Sequence, residues 1–335
     1  MRPLIVAILL TVAASTHTMA GPERWRSAGW QTDFNRTVID LAEVISGGPP
    51  RDGIPSINSP VFETASDVGN LEPNEPVIRL ELDGIARAYP LRILIWHEIA
   101  NDIIEGVPVA VTYCPLCNSS VVFNRRLSDG SVAEFGVSGL LRNSDMIMYD
   151  RATHSWWQQF TGRGIVGKYA GEELKMLPSR VESFAHFLAD FPDGDVLVPN
   201  DPSLRPYGRN PYIGYDRRNA PYPLYTGELP SEIAPMARVI VVQEDNQVVA
   251  VALSHLRRQG VIEIRDVKLT WRDGMSSALD AAEVAGGADI GAVQAQNIDD
   301  GKPLVHDITF AFVVYAFHPD ASVLTEKGLI KLNGE

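Results

Sequence analysis

The sequence predicts an α+β protein made mainly of antiparallel β-hairpins with a few short helices, built from two related hairpin-helix units. Three observations carry this expectation. Val107, Val109, Val111 and Tyr113 alternate with small or polar residues, and Val121 and Phe123 resume the period beyond a tight C-P-L-C corner. The run V-I-R-L-E-L-D-G-I-A-R-A-Y-P at 77–90 reads as a hairpin turning at Asp83-Gly84, with a helix beginning after Pro90. Finally, V-I-V-V-Q-E-D-N-Q-V-V-A-V-A-L-S-H-L at 239–256 lies on 77–94 without a gap, and both stretches spell hairpin, turn and short helix.

Taken in order, residues 1–20 carry one positive charge at Arg2, an apolar run from Leu4 to Ala14, and T-M-A before Gly21. That run is too short to span a bilayer, so 1–20 reads as a Sec-type signal peptide, and the rest of the chain is expected in the periplasm or outside a bacterial cell. Residues 21–191 form an expected cysteine-bearing domain. Within it, T-V-I-D-L-A-E-V-I-S-G at 37–47 predicts a short amphipathic helix capped by Thr37. L-R-I-L-I-W-H-E-I-A-N-D-I-I-E after Pro90 predicts a buried helix ending at Gly106, and Ser179-Arg180-Val181-Glu182 reads as a capping box opening a helix through Phe191. Residues 192–230 are rich in proline and tyrosine and read as an extended strap on the first domain. Residues 231–335 are expected to hold a degenerate second repeat without cysteines, since L-T-W-R-D-G-M stands where thiols would fall.

Lys and Arg total 29 against 42 Asp and Glu, a net charge of −13. This argues against nucleic acid and against an anionic membrane as partner, with no membrane association beyond export; any small-molecule or protein partner is left open. The chain has two cysteines, Cys114 and Cys117. A thioredoxin-type C-x-x-C opens a helix whose N-terminal dipole lowers the thiol pKa, whereas N-S-S-V-V-F-N-R-R after Cys117 is too β-branched to be that helix. Two thiols on a β-corner, with Pro115 fixing φ between them, instead match the knuckle that presents two thiolates to one metal ion. The knuckle is half a tetrahedral site, so other ligands are needed. His97, inside the predicted apolar helix just before the thiol strand, is the first candidate, and His154, ahead of two tryptophans, a second. Met146 and Met148 share a strand face, an arrangement open to Cu(I) or to ordinary core packing.

The segments P-V-I-R-L-E-L-D-G-I-A-R-A-Y-P-L-R-I-L-I-W-H-E-I-A-N-D, V-A-V-T-Y-C-P-L-C-N-S-S-V-V-F-N-R and F-G-V-S-G-L-L-R-N-S-D-M-I-M-Y-D-R-A-T-H-S-W-W-Q-Q-F-T-G together resemble the DUF3179 family of bacterial proteins. The resemblance covers about residues 50 to 230, and more faintly the stretch beyond. It implies an extracytoplasmic bacterial origin and no particular reaction. Its motif positions fall here on His97, Glu98, Asn101, Asp102, Cys114, Cys117, Ser138, Asn143, Tyr149, Trp157 and Gln158.

Three functions stay open on these residues. One is an exported protein that binds a transition metal ion, copper or zinc, through Cys114, Cys117 and histidine, in metal handling or a metal-dependent redox step. Another is a thiol-disulfide redox protein using the same cysteines. The last is a binding or scaffold domain whose cysteines form a structural disulfide. No H-E-x-x-H helix, phosphate-cradling glycine loop or Ser-His-Asp order is present, and whether the protein is an enzyme is left open.

Overall fold

Five small sheets organise the chain, arranged as a five-bladed β-propeller with 39% of residues in strands and 14% in helices. The computed structural model describes residues 21–244 and 247–332. The expected signal peptide, 1–20, lies outside the described residues. The α+β expectation is therefore corrected: the hairpin-helix units are only the first parts of sheets, and each helix is a short connector of about two turns.

The reasons are local. The helix after Pro90 runs only from Leu91 to His97, because Glu98 adopts φ 59° and reverses the chain; I-A-N-D-I-I then becomes the strand Ile99–Ile104, paired antiparallel to Val107–Thr112. A left-handed non-glycine residue ends a helix as a C-terminal glycine does. The predicted helix at 37–47 is a single 3-10 turn, Leu41–Glu43, capped by the Asp40 carboxylate, followed by Ile45–Ser46 paired with Leu140 and Leu141. Ser179–Ser183 is a strand on Pro76–Leu80, and the helix Phe184–Asp190 starts only at the Ser183 cap.

The first sheet orders Ile45–Ser46, Phe135–Arg142, Asp145–Asp150, Trp156–Gln158 and Gly164–Val166; the second orders Met176–Leu177, Ser119–Asn124, Val107–Cys114 and Ile99–Ile104. In the third, Ser179–Ser183, Pro76–Leu82 and Ile85–Pro90 are continued by Asp195–Val198, parallel to Ile85–Pro90, and Val61–Thr64. The fourth follows the same plan with His306–Phe310, Arg238–Glu244, Gln247–Ala252, the parallel Ser322–Thr325 and Gly328–Lys331. The fifth holds Val261–Ile264, Val267–Arg272 and Ala292–Asn297.

Neighbouring sheets bury their faces on one another: Ser119–Asn124 packs on His306–Phe310, and Ile99–Ile104 on Phe135–Arg142. The largest apolar cluster accordingly draws from Ile57 to Val313 and contains both cysteines. The Pro/Tyr-rich stretch is largely exposed or half-buried but anchors in this core through Tyr215, which is fully buried and whose hydroxyl donates to the Leu116 carbonyl at 2.9 Å. No helix among the described residues is long and apolar enough to cross a membrane.

Candidate metal centre

Two hairpin tips from adjoining sheets meet at the thiols. Cys114 is the last residue of its strand, Cys117 closes the corner by donating its N–H to the Cys114 carbonyl at 3.2 Å, and Asn118 at φ 51° turns the chain into Ser119–Asn124. The facing tip is the two-residue turn Asn143-Ser144, with φ of 54° and 63°, the signature of a type I′ hairpin. This turn presents the Ser144 carbonyl to both sulfurs, 3.9 Å from Cys114 Sγ and 3.6 Å from Cys117 Sγ, and places Asp145 beside them. The two sulfurs and an Asp145 carboxylate oxygen lie within 4.8 Å of one another, all buried, the one group of three or more potential metal ligands of this kind among the described residues.

Asp145 is held in place. Its Oδ2 accepts from the Gln158 side-chain amide at 2.7 Å and from the Phe160 N–H at 2.9 Å, while Oδ1 is buried without a hydrogen-bond partner. Burial pushes its carboxyl up to about 6, against the pull of the Phe160 N–H, the Gln158 amide and the two thiols. Burial also raises both thiols above their ordinary value, Cys117 furthest. Glu98 stands in the same field: burial and then the Asp145 charge push its carboxyl up to about 8, and it makes no side-chain hydrogen bond among the described residues. Its backbone is pinned on both sides, donating to the Leu94 carbonyl at 2.7 Å and accepting the Tyr113 N–H at 2.8 Å.

Chemically, two soft sulfurs, a preoriented carboxylate with a free oxygen and a second acid nearby form a donor set for a borderline divalent cation. The pair is a poor fit to an activated redox couple. Redox thiols have lowered pKa values at helix N-termini or beside cations, whereas these sit in an apolar corner beside acids.

The histidines named from the sequence are engaged elsewhere. His97 faces Pro55, whose carbonyl lies 2.7 Å from Nδ1, and Tyr207, whose hydroxyl lies 2.7 Å from Nε2 and whose ring stacks on the imidazole. A carbonyl can only accept, so Nδ1 carries the proton, and burial lowers the ring's pKa toward the neutral form. That is the tautomer a metal-bound imidazole uses, but here the Nε2 lone pair accepts from Tyr207. His154, at φ 55° in the turn after Asp150, has its Nδ1 3.3 Å from both the Gln31 N–H and the Arg51 guanidinium. It ties the 30–32 segment to the first sheet through its carbonyl, which accepts from Thr32 Oγ1 at 2.7 Å. The structure thus brings Cys114 and Cys117 together and leaves His97 and His154 out of their group. Met146 and Met148 are buried in the core cluster.

The sequence does not mark Asp145 as a ligand, because R-N-S-D at 142–145 reads as one polar turn between short strands at 133–139 and 146–149. A type I′ hairpin needs only Asn143 and Ser144, which puts Asp145 in phase with Ile147 and Tyr149 on a buried strand. A carboxylate at such a position is the available signal.

A family model described as "Protein of unknown function (DUF3179)" matches residues 51–321. Neither a curated protein nor a solved structure matches the chain.

Proposed function

The chain belongs to the DUF3179 family, of unknown function, and from that premise we propose that it is an exported protein that binds one thiophilic divalent metal ion, zinc before copper, through Cys114, Cys117 and Asp145. The observation that carries the reading is the convergence of two sulfurs and a carboxylate oxygen within 4.8 Å in a buried pocket. Edges of a tetrahedral zinc site with Zn–S near 2.3 Å and Zn–O near 2.0 Å run roughly 3.3–3.8 Å, so a small inward adjustment completes the set. The hard carboxylate, in place of the imidazole expected from the sequence, favours Zn(II) over Cu(I). Glu98, a buried acid whose charge acts on both Asp145 and Cys114, is the candidate for the fourth position.

Two observations speak against the redox and disulfide alternatives. Burial raises both thiols, and the acids around them disfavour a thiolate unless a cation is present. A divalent ion supplies that cation and displaces the thiol protons as it binds.

Elemental analysis of the full chain, purified from its native compartment without chelator, tests this. About one equivalent of zinc is expected in the wild type, with loss in Cys114→Ser and Asp145→Asn. Metal content unchanged in both variants removes the reading. The export component rests on residues 1–20 and is checked by the N-terminus of the recovered protein, expected at Gly21.

A further inference from the structure

Tyr207, the partner of His97, also lines a separate cavity. This cavity, of about 260 Å³, opens between the Leu91–His97 helix, the Asp195–Val198 strand and the 199–207 stretch. Its lining mixes apolar side chains, among them Leu71, Ile93, Val196 and Leu197, with the polar Asn70 and Tyr207, and its charged lining residues are Arg92 and Arg205, with no acid among them.

The two arginines are not equivalent. Arg92 is neutralised by Glu75 at 3.3 Å and donates to the Asn70 carbonyl. The Arg205 guanidinium makes no ion pair or hydrogen bond among the described residues, and its Nε is buried without a partner. In a protein of net charge −13, an uncompensated guanidinium facing this cavity calls for an anion.

We propose that this cavity binds a small organic monocarboxylate with an apolar body. The planar fork of Arg205 takes the carboxylate and the aliphatic walls take the chain. One unpaired positive charge matches one negative charge, and the volume falls just short of the roughly 300–1,000 Å³ of drug-sized ligand pockets, which suits a body of several carbons. The Tyr207 hydroxyl is bonded to His97 Nε2 and is not a free donor to the ligand.

The test is calorimetric titration of the full chain with sodium octanoate, octanamide and sodium acetate, in the wild type and in Arg205→Gln. Octanoate is expected to bind the wild type at least about tenfold more tightly than the variant, the loss of a charge-assisted pair, while octanamide binds both equally and acetate binds neither measurably. Because Arg205 makes no internal bond, Arg205→Gln is expected to melt with the wild type, and its melting temperature is read alongside. Equal octanoate affinity in both proteins, no octanoate binding to the wild type, or acetate bound as tightly as octanoate overturns the proposal. Metal content plays no part in this readout, so failure here leaves the thiol site untouched.

Discussion

The Gln158 side-chain amide donates to Asp145 Oδ2 at 2.7 Å inside the first sheet, and together with the Phe160 N–H it fixes the carboxylate while Oδ1 stays buried without a hydrogen-bond partner. Groups that hold a metal ligand from behind matter nearly as much as the ligand. Gln158→Leu is therefore expected to weaken zinc about 10–100-fold while leaving both thiols and Asp145 in place. Competition with a chromophoric chelator measures it, and an unchanged affinity contradicts the role assigned to Gln158.

His97 gives the opposite expectation. It bonds to Pro55 and Tyr207, so His97→Ala is expected to leave metal stoichiometry unchanged while costing about 2–3 kcal/mol of stability through two lost hydrogen bonds and a stranded Tyr207 hydroxyl. Urea denaturation alongside elemental analysis separates the two effects. Loss of metal without loss of stability would restore His97 as a ligand.

Part of the hairpin pattern could be read directly from residues: the Asp83-Gly84 turn and the thiol corner stand where alternation and turn chemistry place them, whereas the strands read at 133–139 and 146–149 extend inward to Arg142 and Asp145 and leave a turn of only two residues. What could not be read was how strands join into sheets. Asp195–Val198 adds in parallel beside Ile85–Pro90 from more than a hundred residues away, and no local pattern encodes that pairing. The helix read at 91–105 is present but ends at His97, because an all-round apolar run fits a buried strand as well as a buried helix, and Glu98 at φ 59° carries no propensity signal. The site was half legible for a related reason. The cysteines announce themselves by type and spacing, whereas Asp145 reaches them only through the contact of two sheets.

A pH dependence follows from Asp307. Its Oδ1 accepts the Ser120 N–H at 2.9 Å across the contact of two sheets, and burial pushes its carboxyl up to about 7 against that bond. At this group the folded state therefore holds a proton that the unfolded chain has lost between about pH 4 and 7, so Asp307 lowers stability as pH rises through that window, by at most about 1.4 kcal/mol per pH unit for this one group. Melting of chelator-treated protein across this range is expected to show a falling slope, and Asp307→Asn to lessen it by up to that amount, the rest of the slope belonging to Asp145 and Glu98, whose carboxyls burial also raises. A slope unchanged by the substitution contradicts this account of Asp307.

Gly139 tests the packing of the 49–50 segment on the first sheet. It has φ 74° at the irregularity between Val137 and Leu140, and a Cβ there would stand 2.1 Å from the Pro49 carbonyl oxygen. Gly139→Ala is expected to destabilise by more than about 2 kcal/mol, from backbone strain plus the clash. A denaturation midpoint equal to the wild type contradicts that packing.

The central claim is most directly tested by X-ray absorption at the zinc edge on protein purified without chelator. The account predicts two sulfur scatterers near about 2.3 Å with oxygen at about 2.0 Å, and none of the outer-shell scattering that an imidazole gives. A spectrum with histidine features, or protein that holds no metal, contradicts it.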